Sequence, residues 1–262
     1  MAVINLTPDS FSDGGAHTLP TVVSTANSLL SFGATILDLG GQSTRPGAPS
    51  VGESEELRRV IPAIKALREA GIVAPISIDT YRAGVATAAI EAGADFINDV
   101  SAGNMDPEML PTVAGLGVPI CLMHMRGTPL TMKTLSDYPS GVVSEVAAEL
   151  AQRVAAAEAA GVRRWNILLD PGIGFAKTME QNLEVIRRLG ELTAGTGMPW
   201  LLGPSRKRFI GTITGEEVAE ERRWGTAGAV AACVAGGADI VRVHDVEEMK
   251  KVVDMAVAIW RR

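Results

Sequence analysis

Polar residues recur in this sequence at the trailing ends of short aliphatic runs, and their types suit one kind of chemistry. Asn5 closes the first run, Asp79 the third, Asn98-Asp99 the fourth, His124 follows the fifth, and Asp170 closes the sixth. Ser43-Thr44-Arg45-Pro46 follows the second run, Ser205-Arg206-Lys207-Arg208 the seventh, and Arg242 and His244 attend the eighth. Asp79, Asn98 and Asp170 supply acceptors and an amide, which suit the donor-rich edge of an amino-pyrimidine heterocycle. Arg45, Lys207, Arg242 and His244 supply positive charge for a phosphate or diphosphate. Burying each such group without a partner costs about 1–3 kcal/mol, so their recurrence at equivalent positions implies a ligand.

These positions have a common meaning only if the runs are strands of one sheet. The runs at 3–6, 35–39, 75–78, 95–97, 118–123, 166–169, 199–202 and 239–243 are strand-length and nearly all aliphatic, as parallel strands buried on both faces should be. Helix-length amphipathic segments separate them. In 140–160, Val142, Val146, Leu150 and Val154 recur every fourth residue as one stripe. Asp106-Pro107 predicts a helix N-terminus, and Thr178 with Gln181 predicts a capping box. Gly33, Gly71, Gly93, Gly117, Gly161, Gly197 and Gly237 stand where helices should end in a left-handed residue. Eight strand–helix units across residues 1–262 predict a single-domain α/β chain, a (β/α)8 TIM barrel. A doubly wound open sheet is the alternative, but no G-x-G-x-x-G follows the first strand. In a barrel, the polar strand ends all gather at one mouth.

Composition narrows the function further. The 262 residues are 47% hydrophobic and 21% charged, too apolar for a disordered chain. A net charge of −6 argues against nucleic acid or an anionic membrane as partner, so the cations are a local device. No apolar run approaches the ~18 residues of a membrane span, and a cytoplasmic protein is expected. Cys121 and Cys233 lie in apolar runs, as buried free thiols would. The chain starts directly on its first strand, as expected of a domain cut from a longer polypeptide.

Seven motifs, in order, resemble the dihydropteroate synthases of the pterin-binding enzyme family. They are Asn5-Leu6-Thr7-Pro8-Asp9-Ser10-Phe11-Ser12-Asp13-Gly14-Gly15, then Leu37-Asp38-Leu39-Gly40-Gly41-Gln42-Ser43-Thr44-Arg45-Pro46-Gly47, Ser77-Ile78-Asp79-Thr80 and Ile97-Asn98-Asp99-Val100. Asp170-Pro171-Gly172-Ile173-Gly174-Phe175, Ser205-Arg206-Lys207 and Arg242-Val243-His244-Asp245 complete the set. No single motif is decisive; the ordered set is specific. The resemblance implies condensation of 4-aminobenzoate with 6-hydroxymethyl-7,8-dihydropterin diphosphate to give dihydropteroate and diphosphate, with sulfonamides as competitors. It assigns Asp79, Asn98, Asp170 and Lys207, with Met123, Phe175 and Gly203, to the pterin. Asn5, Arg45, Arg242 and His244 go to the diphosphate, with Asn5 also on a Mg²⁺. Phe11, Thr44, Pro46, Ser205 and Lys207 frame the aminobenzoate, and Asp79, Lys207, Arg242 and His244 form the expected catalytic set. A homodimer is implied, as is fusion to upstream folate-pathway domains. A methyltetrahydrofolate-dependent methyltransferase of the same group would need the pterin contacts but no diphosphate site.

Two departures stand out. Ala176 occupies a position where many members carry glycine, and Gly203-Pro204-Ser205-Arg206-Lys207-Arg208 looks closer to fungal or protist enzymes than to bacterial ones. Other polar residues have plainer expectations: Asp38 bonded to loop amides, Asp99 and Asp245 as caps, and His124 as a satisfied mouth histidine. His17 is expected in a solvated or lid-like loop, and Arg163-Arg164 and Arg222-Arg223 as exposed helix-end charges. No Ser–His or Cys–His pair is expected in the site.

Overall fold

The computed structural model describes residues 1–7, 19–43 and 51–261. Its eight strands are β1 (Ala2–Asn5), β2 (Leu37–Gly40), β3 (Ile76–Asp79), β4 (Phe96–Asp99), β5 (Ile120–Met123), β6 (Ile167–Asp170), β7 (Leu201–Leu202) and β8 (Ile240–Val241). All pair in parallel, β1 through β6 in sequence order and β7 with β8. Bridges Leu169↔Trp200 and Ala2↔Val243 join the two sheets at both edges, so the ring of eight closes. Sequential order and closure exclude the doubly wound alternative, whose strand order must reverse at a switch point.

The helices are α1 (Leu19–Ser31), α2 (Glu53–Glu69), α3 (Ala83–Glu91), α4 (Met109–Leu116), α5 (Val142–Ala159), α6 (Met179–Arg187), α7 (Leu189–Thr193), α8 (Arg208–Thr214), α9 (Arg223–Ala235) and α10 (Val246–Trp260). Among the described residues, no helix is long and apolar enough to cross a membrane. The α5 stripe is buried as its spacing requires, and Thr178 and Gln181 form both halves of the capping box. All seven helix-ending glycines have positive φ, between 66° and 113°. The helix after Asp106-Pro107 starts at Met109, later than the sequence suggests. Asp106 is divided instead: Oδ1 accepts from Glu108 N–H, while Oδ2 accepts from Ala83 N–H at the start of α3.

Register sorts the strand side chains into two sets, because parallel Cα partners face the same way. Leu37, Leu39, Ile76, Ile78, Ile97, Ile120, Ile167 and Leu169 join one cluster with the helices. The other set runs Val3↔Asp38↔Ser77↔Phe96 in one rank and Asn5↔Gly40↔Asp79↔Asn98↔Cys121 in the next, continuing at Met123↔Asp170. Both cysteines are free and buried. The apolar stretch at 227–234 belongs to the core through Val230, Cys233 and Val234.

Candidate active site

The polar rank at the C-terminal strand ends is deeply set: Asp79, Asn98 and Asp170 are 7%, 4% and 5% exposed. From the end of β8, Arg242 reaches across to β2 and β3. Its Nε donates to Asp38 Oδ2 at 2.6 Å, Nη2 pairs with the same oxygen at 2.6 Å, and Nη2 donates to Asp79 Oδ2 at 2.9 Å. Asp38 is therefore fully buried against a guanidinium, not bonded to loop amides as its sequence setting suggested. It shares the inward parity of Gly40 and Asp79, whereas Asp99 has the opposite parity and caps its loop through Ser101 and Gly103 N–H. Asp38 Oδ1, Asp79 Oδ1 and Ser77 Oγ are buried with no hydrogen-bond partner among the described residues. Asp79 Oδ1, in the upper of the two inward ranks, lacks a donor that a donor-rich heterocycle would supply.

Burial sets the electrostatics. It pushes Asp79 up to about 7, with Arg242 opposing the rise and Asp38 adding to it. Burial likewise raises Asp170 to about 6, against the Gly172 N–H that donates to its Oδ1 at 2.7 Å. Such carboxylates change charge close to neutrality rather than in acid.

The loop after β6 is built by close approach. Gly172 has φ 69°, and a Cβ there would lie 2.0 Å from His124 O; one at Gly174 would lie 2.9 Å from Lys207 Cδ. Lys177 Nζ donates to Gly172 O, Phe175 O and His124 Nδ1 at 3.0–3.2 Å. His124 must then carry its proton on Nε2, which donates to Glu149 Oε2 at 2.9 Å. Burial, helped by Lys177, lowers His124 to about 4, so it is the satisfied neutral histidine expected. Phe175 presents its ring to Lys207, whose Nζ lies 4.3 Å from the ring centroid, a cation–π distance. Met123, Met125, Met132, Val100, Phe175 and Ala176 form one apolar wall. Ala176 has φ 46°, explaining why glycine suits that position; the left-handed methyl costs about 1–2 kcal/mol, offset in part by burial in that wall.

The loops after β7 and β8 meet directly. Ser205 Oγ lies 3.0 Å from His244 Nδ1 and accepts from His244 N–H at 3.2 Å. A Ser–His pair is therefore present, contrary to expectation, because the closed barrel sets consecutive loops side by side. Arg206 has φ 58° and pairs with Asp245, which spends its carboxylate on that arginine instead of capping α10. Gly203 sits beside Arg242, where an added Cβ would make ordinary contact at 3.8 Å.

The structure thus gathers Asn5, Asp79, Asn98, Met123, Asp170, Phe175, Gly203, Ser205, Lys207, Arg242 and His244 at the strand ends and following loops. Phe11, Thr44, Arg45, Pro46 and His17 lie outside the described residues. Asp38, Lys177, Arg82 and Asp245 hold more of the site together than their sequence settings imply. Arg82, at the start of α3, ties together Gln42 Oε1 and Val51 O, which flank 44–50, and pairs with buried Glu56. Arg222 also does more than terminate a helix: it donates to the carbonyls of Arg206, Glu216 and Glu217. Strand parity was the signal available for Asp38. The others act across loops that are distant in sequence.

Comparison with known proteins agrees with this geometry. Residues 1–244 match the family model described as pterin binding enzyme. A folic acid synthesis protein of Pneumocystis carinii is 52% identical over 264 residues, covering 100% of this chain and 36% of that protein. The chain therefore spans about a third of that relative's length. The dihydropteroate synthase of Synechocystis is 50% identical over 262 residues, 90% of its length. A dihydropteroate synthase of Xanthomonas albilineans, solved with 4-aminobenzoic acid, superposes with a TM-score of 0.91 at 42% identity, covering 100% of this chain and 92% of that one.

Proposed function

The chain belongs to the pterin-binding enzyme family, and from that premise we propose that it condenses 4-aminobenzoate with 6-hydroxymethyl-7,8-dihydropterin diphosphate, releasing diphosphate and dihydropteroate. The observation carrying this reading is the buried Asp79–Asn98–Asp170 rank with Lys207, Arg242 and His244 in the adjoining loops. An acceptor-rich floor suits the pterin, and the cationic side suits the diphosphate.

The chemistry follows from the weakness of an arylamine as a nucleophile. The C–O bond to diphosphate must loosen early, leaving positive charge on the pterin methylene. Asp79 and Asp170, held in a low-dielectric floor, stabilise that charge as it develops. Arg242 and His244 face the departing anion. Arg242 commits Nε and Nη2 to carboxylates, leaving Nη1 without a partner among the described residues. Lys207, poised over Phe175, sits where pterin and aminobenzoate would meet, and Ser205 would border the aminobenzoate. The Ser205–His244 pair serves position, since no covalent intermediate is required.

Mg²⁺ fits as a companion of the diphosphate. Asn5 offers one neutral oxygen at the end of β1, and no group of three or more His, Cys, Asp or Glu among the described residues could hold a metal alone. A hard cation would draw its other ligands from phosphate oxygens and water, and it would neutralise charge on the leaving group.

We further propose competition by sulfonamides at the aminobenzoate position, a homodimer, and a cytoplasmic location. The test is a coupled diphosphate-release assay. Turnover should require both substrates and Mg²⁺, and chelation should abolish it; no turnover with all three present overturns the reading.

A further inference from the structure

We propose that Arg206 is a positioning residue: its pair with Asp245 locks the loop carrying Ser205 and Lys207 to the loop carrying Arg242 and His244. This inference rests on the condensation proposed above. Arg206 occupies the left-handed region at φ 58°, a conformation that residues with a side chain keep only when their surroundings enforce it. Its surroundings do so from several elements. Its N–H donates to Oγ1 of Thr226, a fully buried residue in α9, at 3.1 Å, and its carbonyl accepts from Arg222 Nη1 at 3.0 Å. Its guanidinium grips Asp245 with both forks, Nη2 to Oδ1 at 2.6 Å and Nε to Oδ2 at 3.1 Å, while Nη1 approaches Glu220 Oε1 at 3.5 Å.

Consecutive residues of one loop thus pair with consecutive residues of the other: Ser205 with His244, then Arg206 with Asp245. Two such rungs hold the loops as one body, where a single contact would leave a pivot. β7 and β8 are only two residues long each, so the ladder supplies little of this rigidity. In the proposed reaction, one loop serves the arylamine side and the other the diphosphate side. The lock therefore sets the distance between nucleophile and leaving group. A guanidinium fork has the geometry for this, and an ammonium does not.

The experiment is a double-mutant cycle of R206K and D245N, read as kcat/KM for 4-aminobenzoate at saturating pterin diphosphate, beside Tm. Each single variant should lose roughly ten-fold or more, and the double should lose about as much as either alone. R206G, which accepts the left-handed backbone but has no fork, should keep Tm closer to wild type than R206A yet retain the kinetic loss. Losses that multiply in the double variant, or wild-type kcat/KM in folded R206G, would overturn the lock. Absence of turnover in the wild-type chain would overturn the underlying reaction instead.

Discussion

Asp79 carries opposite demands in stability and in catalysis. Burial raises its carboxyl from an ordinary 3.8 to about 7, so the folded chain binds its proton more tightly than the unfolded chain does. Between those values the unfolded state holds fewer protons, and this group's contribution therefore turns increasingly unfavourable as pH rises from 4 to 7. D79N should flatten that part of the stability profile, measured by denaturation from pH 4 to 8; an unchanged slope would show that Asp79 does not titrate there. Catalysis asks for the charged form. The rate should climb through the ranges of Asp170, about 6, and Asp79, about 7, and D79N should lose at least roughly a hundred-fold in kcat. A pH–rate profile that is flat from 5 to 8 would exclude both carboxylates from the charged step. Lys207→Ala should weaken both substrates, since Lys207 would touch their junction; loss of pterin affinity alone would misplace it.

At the scale of elements, pattern and tertiary context divide the labour. Eight strands, the α5 stripe, the capping box and seven helix-ending glycines were legible because each is fixed by neighbours within a few residues. Asp38, Arg206 and Arg82 were not: closure of the barrel brings Arg242 to Asp38, and packing of neighbouring strand–helix units brings Asp245 to Arg206 and Glu56 to Arg82. Helix α4 starts late for a similar reason: Asp106 is shared with the start of α3. The Arg82–Glu56 pair shows what such cross-element contacts contribute. Glu56 is 1% exposed, and burial raises its carboxyl even with Thr80 and Arg82 beside it. Removing the arginine strands a buried acid, so R82A should destabilise by about 3–5 kcal/mol. The double variant R82M/E56Q should recover much of that in chemical denaturation, since neither buried charge remains. Activity should stay low in the double variant, because Arg82 also joins Gln42 and Val51 at the two sides of 44–50, where Thr44, Arg45 and Pro46 were assigned. Full activity in R82M/E56Q would separate that clamp from the site.

The whole molecule sets its chemistry inside the barrel mouth and much of its exposed apolar surface on the outer helices of the C-terminal third. The strand ends and their loops carry the site, while, among the described residues, seven of the thirteen exposed large hydrophobics fall between Ile213 and Trp260. They belong to α8, α9, α10 and the α8–α9 connection, and α9 packs closely on α10. Trp224 is 84% exposed and Met255 62%. Exposed apolar side chains of this size on consecutive packed helices mark an interaction surface, and a C2 dimer would bury such a face against its own copy. This is the physical ground for the proposed homodimer, and the buried Val230, Cys233 and Val234 supply none of it. Because Trp224 and Met255 are mostly exposed and outside the core cluster, charge can be introduced there without undoing the fold. Sedimentation should find the wild-type chain as a dimer, and Trp224→Asp with Met255→Asp should leave a folded monomer with unchanged Tm at high dilution. A wild-type monomer at micromolar concentration, or a dimer that survives both substitutions, would rule out this face as the interface.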